Sequence, residues 1–259
     1  MRIARFSTDD EPRFALVGDD AGTEVLAVIT GDPLYAGIKL TGEKVALDEV
    51  RLLAPVLPRS KVIGIGRNYA AHAAELGNDV PEEPLVFLKP NTSVIGPHDP
   101  IVYPTQTENL HYEGELAVVI GRICRDVAAA DVGKVVHGYT VGNDVTARDL
   151  QQRDGQWARA KGFDSFCPLG PWIETDLDIA DLAVSTVLDG ATVQDGRTSQ
   201  MIFDVPTLVA YVSSFMTLLP GDVILTGTPD GVGPMLPGAE VSVTIEGIGT
   251  LTNKVVSRD

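Results

Sequence analysis

The segment His111–Ile120 contains two glutamates, Glu113 and Glu115, and then continues as an apolar run. If this segment is a β-strand, the alternation of its side chains places Glu113 and Glu115 on one face and Leu116 on the other. The Cα atoms of the two glutamates would lie about 7 Å apart, from a rise of roughly 3.3 Å per residue. Two buried like charges need compensation, because an unpaired buried charge is costly. A divalent cation between the carboxylates would provide it.

A third carboxylate follows another apolar run. Asp144 comes after the strand-like segment Val135–Val141 and just before the helix-like segment Thr146–Gln152. A side chain at such a junction commonly projects into a cleft. Three carboxylates without paired His or Cys form an all-oxygen site, which favours Mg²⁺, Mn²⁺ or Ca²⁺ over zinc.

Other interpretations of these residues remain open. The glutamate strand could begin in solvent, with only Leu116–Ile120 buried, and Asp144 could simply cap the following helix. His111 shares the face of the two glutamates and is either a further ligand or a residue at the rim of the site.

A short predicted helix carries a possible acid–base pair. Asn68 can cap a helix that begins at Tyr69, and Gly77 can end it. His72 and Glu75 then share one face of that helix. A carboxylate beside an imidazole fixes its tautomer and stabilises its protonated form, as a general base near neutral pH requires. The alternative is an ordinary surface pair. A helix of about two turns is not stable alone, so it must be docked or form a mobile lid.

Two glycine-rich segments resemble nucleotide-binding loops. In the first, Gly64 and Gly66 follow a strand, but Tyr69 stands where a dinucleotide fingerprint has its third glycine, and strands and helices do not alternate around it. The second, Thr226–Gly233, lacks the Gly-Lys-Ser/Thr of a P-loop. It is either a wide surface turn or a loop whose backbone amides approach an anion. Nucleotide binding is excluded for both.

Composition limits the class of protein. The 259 residues can bury a sizeable core in one large domain, with or without a small addition. Thirty-six acidic and 20 basic residues give a net charge of −16, which repels phosphate backbones and anionic lipid surfaces, so no nucleic-acid partner is expected. Cys124 and Cys167 form no CxxC pattern, so neither a disulfide framework nor a zinc site is predicted. No signal-like or membrane-spanning segment is present, and we expect a cytoplasmic protein.

The first 58 residues are predicted to form a small β-rich cap. Short alternating runs at Arg2–Ser7, Phe14–Val17 and Val25–Ile29 are separated by turn-forming residues such as Asp9-Asp10. The segment Leu53–Pro58 contains two prolines, which suit a linker. The remaining residues, 59–259, would form the catalytic domain.

Most of the later elements are also predicted strands. One clear helix begins at Asp204, which can cap it, has Pro206 in its first turn, and ends before Pro220-Gly221. Asp189-Gly190 predicts a two-residue hairpin. Because helices and strands do not alternate regularly, the sequence favours a β-rich α+β fold with packed sheets over a doubly wound parallel sheet. The predicted strands are Lys61–Ile65, Leu85–Leu88, Glu113–Ile120, Val135–Val141, Val184–Leu188, Val223–Leu225, Val241–Ile245 and Thr250–Val256.

Six motifs between Lys61 and Val256 together resemble those of the fumarylacetoacetate hydrolase family, in the family's order. Such an ordered set is far more specific than any single motif. The motifs are GRNYAAHAAELG (66–77), FLKPNTSVIGP (87–97), HYEGELAVVIG (111–121), GYTVGNDVTARDLQ (138–151), AKGFDSFCPLGP (160–171) and LTGTPDGVGP (225–234).

The resemblance implies a mixed β-sandwich roll, a homodimer and one Mg²⁺ or Mn²⁺ per subunit, with residues 1–58 as a variable N-terminal cap. It also implies roles for individual positions. These are Glu113, Glu115 and Asp144 as metal ligands, His72 and Glu75 as a water-activating pair on a lid, Lys161 as a cationic substrate contact, Thr228 as a contact to the substrate carboxylate, and Arg67 close by.

These residues suit the chemistry of a small 2-oxo acid in its enol form. The leading hypothesis is hydrolysis of a carbon–carbon bond in an acylpyruvate-type substrate, with release of pyruvate. Two alternatives use the same site, namely decarboxylation of oxaloacetate and isomerisation of a 2-hydroxyhepta-2,4-diene-1,7-dioate. A protein that binds a dicarboxylate without catalysis is the third. Trp157, Phe163 and Phe166 are candidates for the distal pocket or for the core.

Overall fold

A computed structural model describes residues 1–8 and 11–258, so the turn predicted at Asp9-Asp10 lies outside the described residues. Within these ranges the chain forms nineteen β-strands and five α-helices. The strands of the first half are β1 (Arg2–Ser7), β2 (Pro12–Asp20), β3 (Thr23–Ile29), β4 (Leu40–Ala46), β5 (Arg51–Leu53), β6 (Val62–Gly66), β7 (Leu85–Lys89), β8 (Val94–Ile95), β9 (Ile101–Tyr103), β10 (Leu110–His111) and β11 (Gly114–Ile120).

The second half continues in the same manner. Its strands are β12 (Val136–Asn143), β13 (Thr146–Ala147), β14 (Cys167–Glu174), β15 (Ala183–Leu188), β16 (Ala191–Arg197), β17 (Val223–Leu225), β18 (Glu240–Ile245) and β19 (Gly249–Ser257). The helices of the whole chain are α1 (Pro33–Ala36), α2 (Ala70–Glu75), α3 (Arg148–Asp154), α4 (Ala158–Lys161) and α5 (Val205–Phe215).

The strands form two large sheets and one small one. The larger sheet has twelve strands, ten of them in the order β4-β3-β2-β1-β14-β12-β11-β17-β6-β7, with β5 paired to β1 and β8 to β14. A five-stranded sheet has the order β16-β15-β18-β19-β9, and β10 pairs with β13. This mixed, strand-rich arrangement confirms the predicted β-rich α+β fold. None of the helices in the described ranges combines the length and apolar character needed to cross a membrane.

Strand β11 lies in the core, and its two faces enter different apolar clusters. Leu116 and Val118 pack with β15, β18 and α5 residues, including Val184 and Val243, between the two large sheets. The opposite face, which includes Val119, packs with residues from other strands of the larger sheet, among them Ile3 of β1. The predicted alternation of β11 is therefore correct, and it puts the even-numbered side chains between the sheets.

Local sequence signals account for several boundaries. Asp204 caps α5 by accepting a hydrogen bond from the Thr207 amide at 2.9 Å, and α5 then buries its apolar face. Asp189 and Gly190 both have positive φ, as a two-residue hairpin of this type requires, and they join β15 to β16.

The pairing of four strands brings the starts and ends of the catalytic segments to one end of the larger sheet. Strand β11 is antiparallel to both β12 and β17, so its start lies beside their ends. Strand β6 is parallel to β17, so its end lies there too. Segments after β6, β12 and β17 therefore meet at the start of β11, where the two glutamates lie.

Candidate active site

Three carboxylates converge at that end of the sheet. Each of Glu113, Glu115 and Asp144 offers one oxygen, and these oxygens lie within 4.8 Å of one another. Glu113 is 4% exposed, and the other two are each 1% exposed. The interpretation in which the glutamate strand begins in solvent is therefore wrong.

Backbone pairing at the β11–β12 junction holds Glu113 beside Asp144. The Asp144 amide donates to the Glu113 carbonyl at 2.9 Å, and the Glu113 amide donates to Oδ1 of Asn143 at 3.0 Å. Asp144 does not cap the next helix. That helix, α3, begins at Arg148 and has Ala147 at its N-cap position, later than the sequence predicted, because Thr146 and Ala147 pair with β10 first.

Three buried cations surround the carboxylates. Nζ of Lys161 lies 2.6 Å from Oε2 of Glu113 and 2.6 Å from Oδ2 of Asp144. Arg148 Nη2 lies 2.5 Å from Oε1 of Glu113, and Lys89 Nζ lies 2.5 Å from Oδ1 of Asp144. The sequence argument assigned no role to Lys89 or Arg148, although both lie in its motifs.

Charge compensation is uneven across the cluster. Burial alone would raise the pKa of Glu113, but Lys161 and Arg148 outweigh it and hold that pKa well below its ordinary value. Burial, together with the charges of Asp144 and Glu113, raises the pKa of Glu115 well above its ordinary value. The cluster thus lacks positive charge at Glu115. A hard dication such as Mg²⁺ or Mn²⁺ fits this all-carboxylate donor set.

His72 and Glu75 lie on α2 at the border of the cluster. His72 Nδ1 is 3.3 Å from Oε2 of Glu75, and His72 is 4% exposed. The Gly231 amide donates to the Glu75 carboxylate at 3.1 Å, so α2 is docked against the loop that follows β17. Burial lowers the pKa of His72, against the raising effects of Glu113 and Glu75. The lowered pKa favours the neutral ring, which is the form that a general base requires.

The predicted start of α2 needs a correction. Asn68 does not cap the helix, which begins at Ala70 with Tyr69 at its N-cap position. Nδ2 of the Asn68 side chain instead donates hydrogen bonds to the backbone carbonyls of Phe203 and Thr226, at 2.9 and 2.8 Å. The side chain is 1% exposed and ties the start of α2 to distant segments, which no local pattern could indicate.

Two of the carboxylates, Glu113 and Glu115, line one cavity of about 320 Å³ together with His72 and Lys161. Arg67 lines it with a positive φ of 57°, and its guanidinium carbon lies 5.9 Å from the centre of the Trp157 ring. Of the three aromatic candidates, only Trp157 lines the cavity, since Phe166 is fully buried and packs on Phe163. The other lining residues are Ile65, Gly66, Leu76, Asn78, Arg148, Gln151, Gln152, Gly155 and Thr228.

Thr228 enters the cavity with its hydroxyl hydrogen available. Gln194 Nε2 donates to Oγ1 of Thr228 at 2.8 Å, so the Thr228 oxygen acts as acceptor there and its own hydrogen can point elsewhere. Gln194 is fixed in turn, because its Oε1 accepts hydrogen bonds from Gly114 and Thr186. Sequence reasoning missed Gln194, which lies outside the six motifs.

Packing and hydrogen bonding explain the glycines of the two segments that resemble nucleotide-binding loops. A Cβ at Gly64 would lie 2.1 Å from the Phe87 ring, and one at Gly66 would lie 2.5 Å from the Trp157 ring. In the other loop, the Gly227 amide donates to Oε2 of Glu115 at 2.7 Å. Backbone amides of this loop do approach an anion, but the anions are the protein's own carboxylates.

His111 lies beside this site, half-buried. Its Nε2 is 2.9 Å from Oδ1 of Asn109, and no metal-binding group found among the described residues includes it. Burial and the nearby Arg148 guanidinium lower the pKa of His111 to about 4. These contacts agree better with His111 as a residue at the rim of the site than with His111 as a metal ligand.

Comparison with known proteins agrees with this site. The profile of the family described as "Fumarylacetoacetate (FAA) hydrolase C-terminal" matches residues 61–256, and one described as "Rv2993c-like, N-terminal" matches residues 1–55. The chain therefore belongs to the fumarylacetoacetate hydrolase family, as its motifs indicated, and is an enzyme of that family.

Three relatives illustrate the range of reactions. The crystal structure of 5-carboxymethyl-2-hydroxymuconate delta-isomerase from Mycobacterium smegmatis is 52% identical to this chain, with a TM-score of 0.92 over the whole of both chains. Human mitochondrial oxaloacetate tautomerase FAHD2A is 45% identical over 80% of this chain and 70% of its own. Fumarylpyruvate hydrolase from Pseudomonas aeruginosa, solved with Mn²⁺ and pyruvate, is 38% identical with a TM-score of 0.74, over 78% of this chain and 91% of its own.

Proposed function

We propose that this protein is a divalent-metal-dependent hydrolase that cleaves a carbon–carbon bond of an acylpyruvate-type 2-oxo acid and releases pyruvate. The observation that carries the proposal is a cavity lined both by His72, which contacts Glu75, and by Glu113 and Glu115 of the three-carboxylate cluster. Such a pair is what hydrolysis needs in addition to an ion, because water must be activated beside the substrate.

Glu113, Glu115 and Asp144 would hold the ion, Mg²⁺ or Mn²⁺. When bound, this ion supplies a Lewis acid that withdraws charge from the oxygens of a 2-oxo acid. The P. aeruginosa relative, solved with Mn²⁺ and pyruvate, supports this assignment.

The remaining residues position the substrate. Thr228 can donate its free hydroxyl hydrogen to the substrate carboxylate, and Lys161 supplies positive charge near the developing enolate. Arg67 lies in the same cavity without a salt-bridge partner among the described residues, so it can meet an anionic or polar part of the substrate. In a chain of net charge −16, these local cations replace long-range attraction of an anionic substrate.

His72 performs the proton transfers. Its ring takes a proton from water, whose oxygen attacks the distal carbonyl carbon of the acylpyruvate. The bond between that carbon and C3 breaks, the electron pair passes to the pyruvate side as an enolate, and the acyl group leaves as a carboxylic acid. His72 then returns its proton to C3, giving pyruvate. Glu75 stabilises the protonated ring between the two transfers.

Tautomerisation of oxaloacetate is the second candidate, favoured by the 45% identity to the human tautomerase. There His72 would move a proton between C3 and the C2 oxygen without attack by water. Decarboxylation of oxaloacetate and isomerisation of a hydroxymuconate-like dienedioate use the same cavity. A homodimer in the cytoplasm remains a prediction.

The test measures pyruvate release from several acylpyruvates and from oxaloacetate, with Mg²⁺ and then with excess chelator. We expect Mg²⁺-dependent pyruvate from at least one acylpyruvate. If the protein accelerated the keto–enol exchange of oxaloacetate and released no pyruvate, the proposed function would change from hydrolysis to tautomerisation. No turnover of any 2-oxo acid would favour a protein that only binds dicarboxylates.

A further inference from the structure

Each of the three carboxylates has at least one oxygen engaged by a donor of the protein other than Lys161. Arg148 Nη2 holds Oε1 of Glu113, and the Gly227 amide holds Oε2 of Glu115. Lys89 Nζ holds Oδ1 of Asp144. The remaining oxygens of Glu113 and Asp144 both face Lys161, at 2.6 Å.

Lys89 differs from Arg148 in its position. Arg148 lines the cavity, whereas Lys89 is absent from the cavity lining and is 1% exposed. Its ammonium contacts only Asp144 and, at 3.4 Å, the Val145 carbonyl among its hydrogen-bonding partners in the described residues. Lys89 therefore acts on Asp144 and has no access to a substrate.

A buried ammonium is a costly way to fill space. Replacing a buried ion pair by apolar side chains of similar volume is often neutral or even stabilising. Position 89 ends strand β7, whose other residues are apolar, and Met or Leu could occupy it. A lysine there calls for a role that an apolar side chain cannot perform.

We propose that Lys89 determines which ion the site selects, by keeping Oδ1 of Asp144 out of the coordination sphere. This inference rests on the metal-holding role proposed for the three carboxylates. With one oxygen from each carboxylate, the protein supplies few ligands and leaves the other positions to water and substrate. Mg²⁺ and Mn²⁺ accept such an arrangement, whereas Ca²⁺ takes six to eight oxygens and commonly uses both oxygens of a carboxylate.

The test compares ion affinities in the full-length protein after removal of bound metal. Mn²⁺ binding is followed by the electron paramagnetic resonance signal of the free ion, and Ca²⁺ and Mg²⁺ are titrated as competitors. In Lys89→Met, Oδ1 of Asp144 becomes available, and we expect the preference for Mg²⁺ over Ca²⁺ to fall about tenfold or more, within the range typical of residues that orient metal ligands. Lys89→Arg keeps a donor to Oδ1 and should keep the wild-type preference.

A purely structural lysine gives a different result. If the lysine were purely structural, Lys89→Met would bind Mg²⁺ and Ca²⁺ more weakly by the same factor. The ratio of the two affinities would then be unchanged, and this result would overturn the proposal. Failure of wild-type protein to bind Mn²⁺ would overturn it as well. If Lys89→Met lacks a cooperative thermal transition, the ratio of the Mg²⁺ and Ca²⁺ affinities is measured in Lys89→Leu instead. Mn²⁺ binding without pyruvate release would contradict the proposed reaction and leave the role of Lys89 intact.

Discussion

Nζ of Lys161 lies 2.6 Å from Oδ2 of Asp144, within the group of carboxylates that could bind a metal ion. A dication held by this group would therefore share ligand oxygens with the ammonium. Burial disfavours the charge of Lys161, but Asp144 and Glu113 outweigh it and raise the pKa of its ammonium, so the side chain remains charged. In the protein without metal, Lys161 is the one of the three buried cations that contacts both Glu113 and Asp144.

Replacement of Lys161 by Met should destabilise the metal-free protein and increase its response to Mn²⁺. Loss of one partner of a buried ion pair costs about 3–5 kcal/mol. Added Mn²⁺ would supply the missing charge, so its stabilising effect should be larger in Lys161→Met than in wild type. Thermal unfolding with chelator and with Mn²⁺ measures both effects.

Lys134→Met is the matched control for that variant. Lys134 Nζ lies 2.5 Å from Oδ1 of Asp131, but both side chains are largely exposed, and such surface pairs contribute little. Its melting temperature and its response to Mn²⁺ should match those of wild type. An equal response to Mn²⁺ in Lys161→Met would contradict the shared use of ligand oxygens.

His72→Asn should strongly reduce the rate of hydrolysis without loss of metal binding. General base catalysis contributes about 10²- to 10⁴-fold, so kcat should fall by that factor. His72 is outside the three-residue carboxylate group, so the affinity for Mn²⁺ should stay near the wild-type value. Steady-state kinetics and Mn²⁺ titration of the same preparation test this. Undiminished hydrolysis would show that another residue is the base.

The pH dependence of kcat/KM should reflect the lowered pKa of His72. The neutral ring is the active form, so activity is lost as the pH falls through this pKa. Because burial lowers the pKa from its ordinary value of 6.5, the acid limb should lie below pH 6.5. Glu75 acts in the opposite direction, so Glu75→Gln should move the acid limb to still lower pH. A shift to higher pH would rule out this assignment of the titrating group.

Thr228→Val should raise KM for the 2-oxo acid and leave kcat less affected. The variant loses one hydrogen-bond donor to the substrate carboxylate, and bonds to charged groups are worth about 1.5–3 kcal/mol, or roughly tenfold or more in KM. Gln194 keeps a partner, because its Nε2 also donates to the Pro229 carbonyl at 2.8 Å. Thr228→Ser retains the hydroxyl and should resemble wild type. An unchanged KM in the valine variant would remove Thr228 from the substrate contacts.

Gly64→Ala should destabilise the protein by about 1–3 kcal/mol, the usual range for overpacking. The added Cβ would lie 2.1 Å from the Phe87 ring, and that ring lies under the Lys161 ammonium at 5.0 Å. Denaturant unfolding measures the loss. Gly18→Ala is the control in another strand, because no atom lies within 4 Å of its added Cβ. Equal stability of the two variants would disprove the packing argument.

The residues of single segments were the most predictable part of the site. Period-two alternation is set by backbone geometry, so the common face of Glu113 and Glu115 followed directly from their spacing. The i, i+3 spacing of His72 and Glu75 likewise fixes their contact once the helix exists. In both cases the side chains that matter are neighbours in the chain.

Contacts between distant segments could not be predicted in this way. Lys89 and Asp144 are separated by 55 positions, and no local pattern links them. Strand β14 contains Pro168, Gly170 and Pro171, which are typical of turns, so its place at the centre of the larger sheet was missed. Tertiary pairing outweighs local preference at such positions.

The pairing of β1 with β14 has a consequence for any shortened version of the protein. Ile3 is fully buried and pairs with Ile173, so the first strand covers the side of β14 that faces away from the catalytic strands. Deletion of residues 1–58 would leave an uncovered apolar edge, with free amides and carbonyls ready to associate with other chains. We therefore expect the shortened protein to aggregate more readily than the full chain, although none of the described residues of 1–58 lines the cavity.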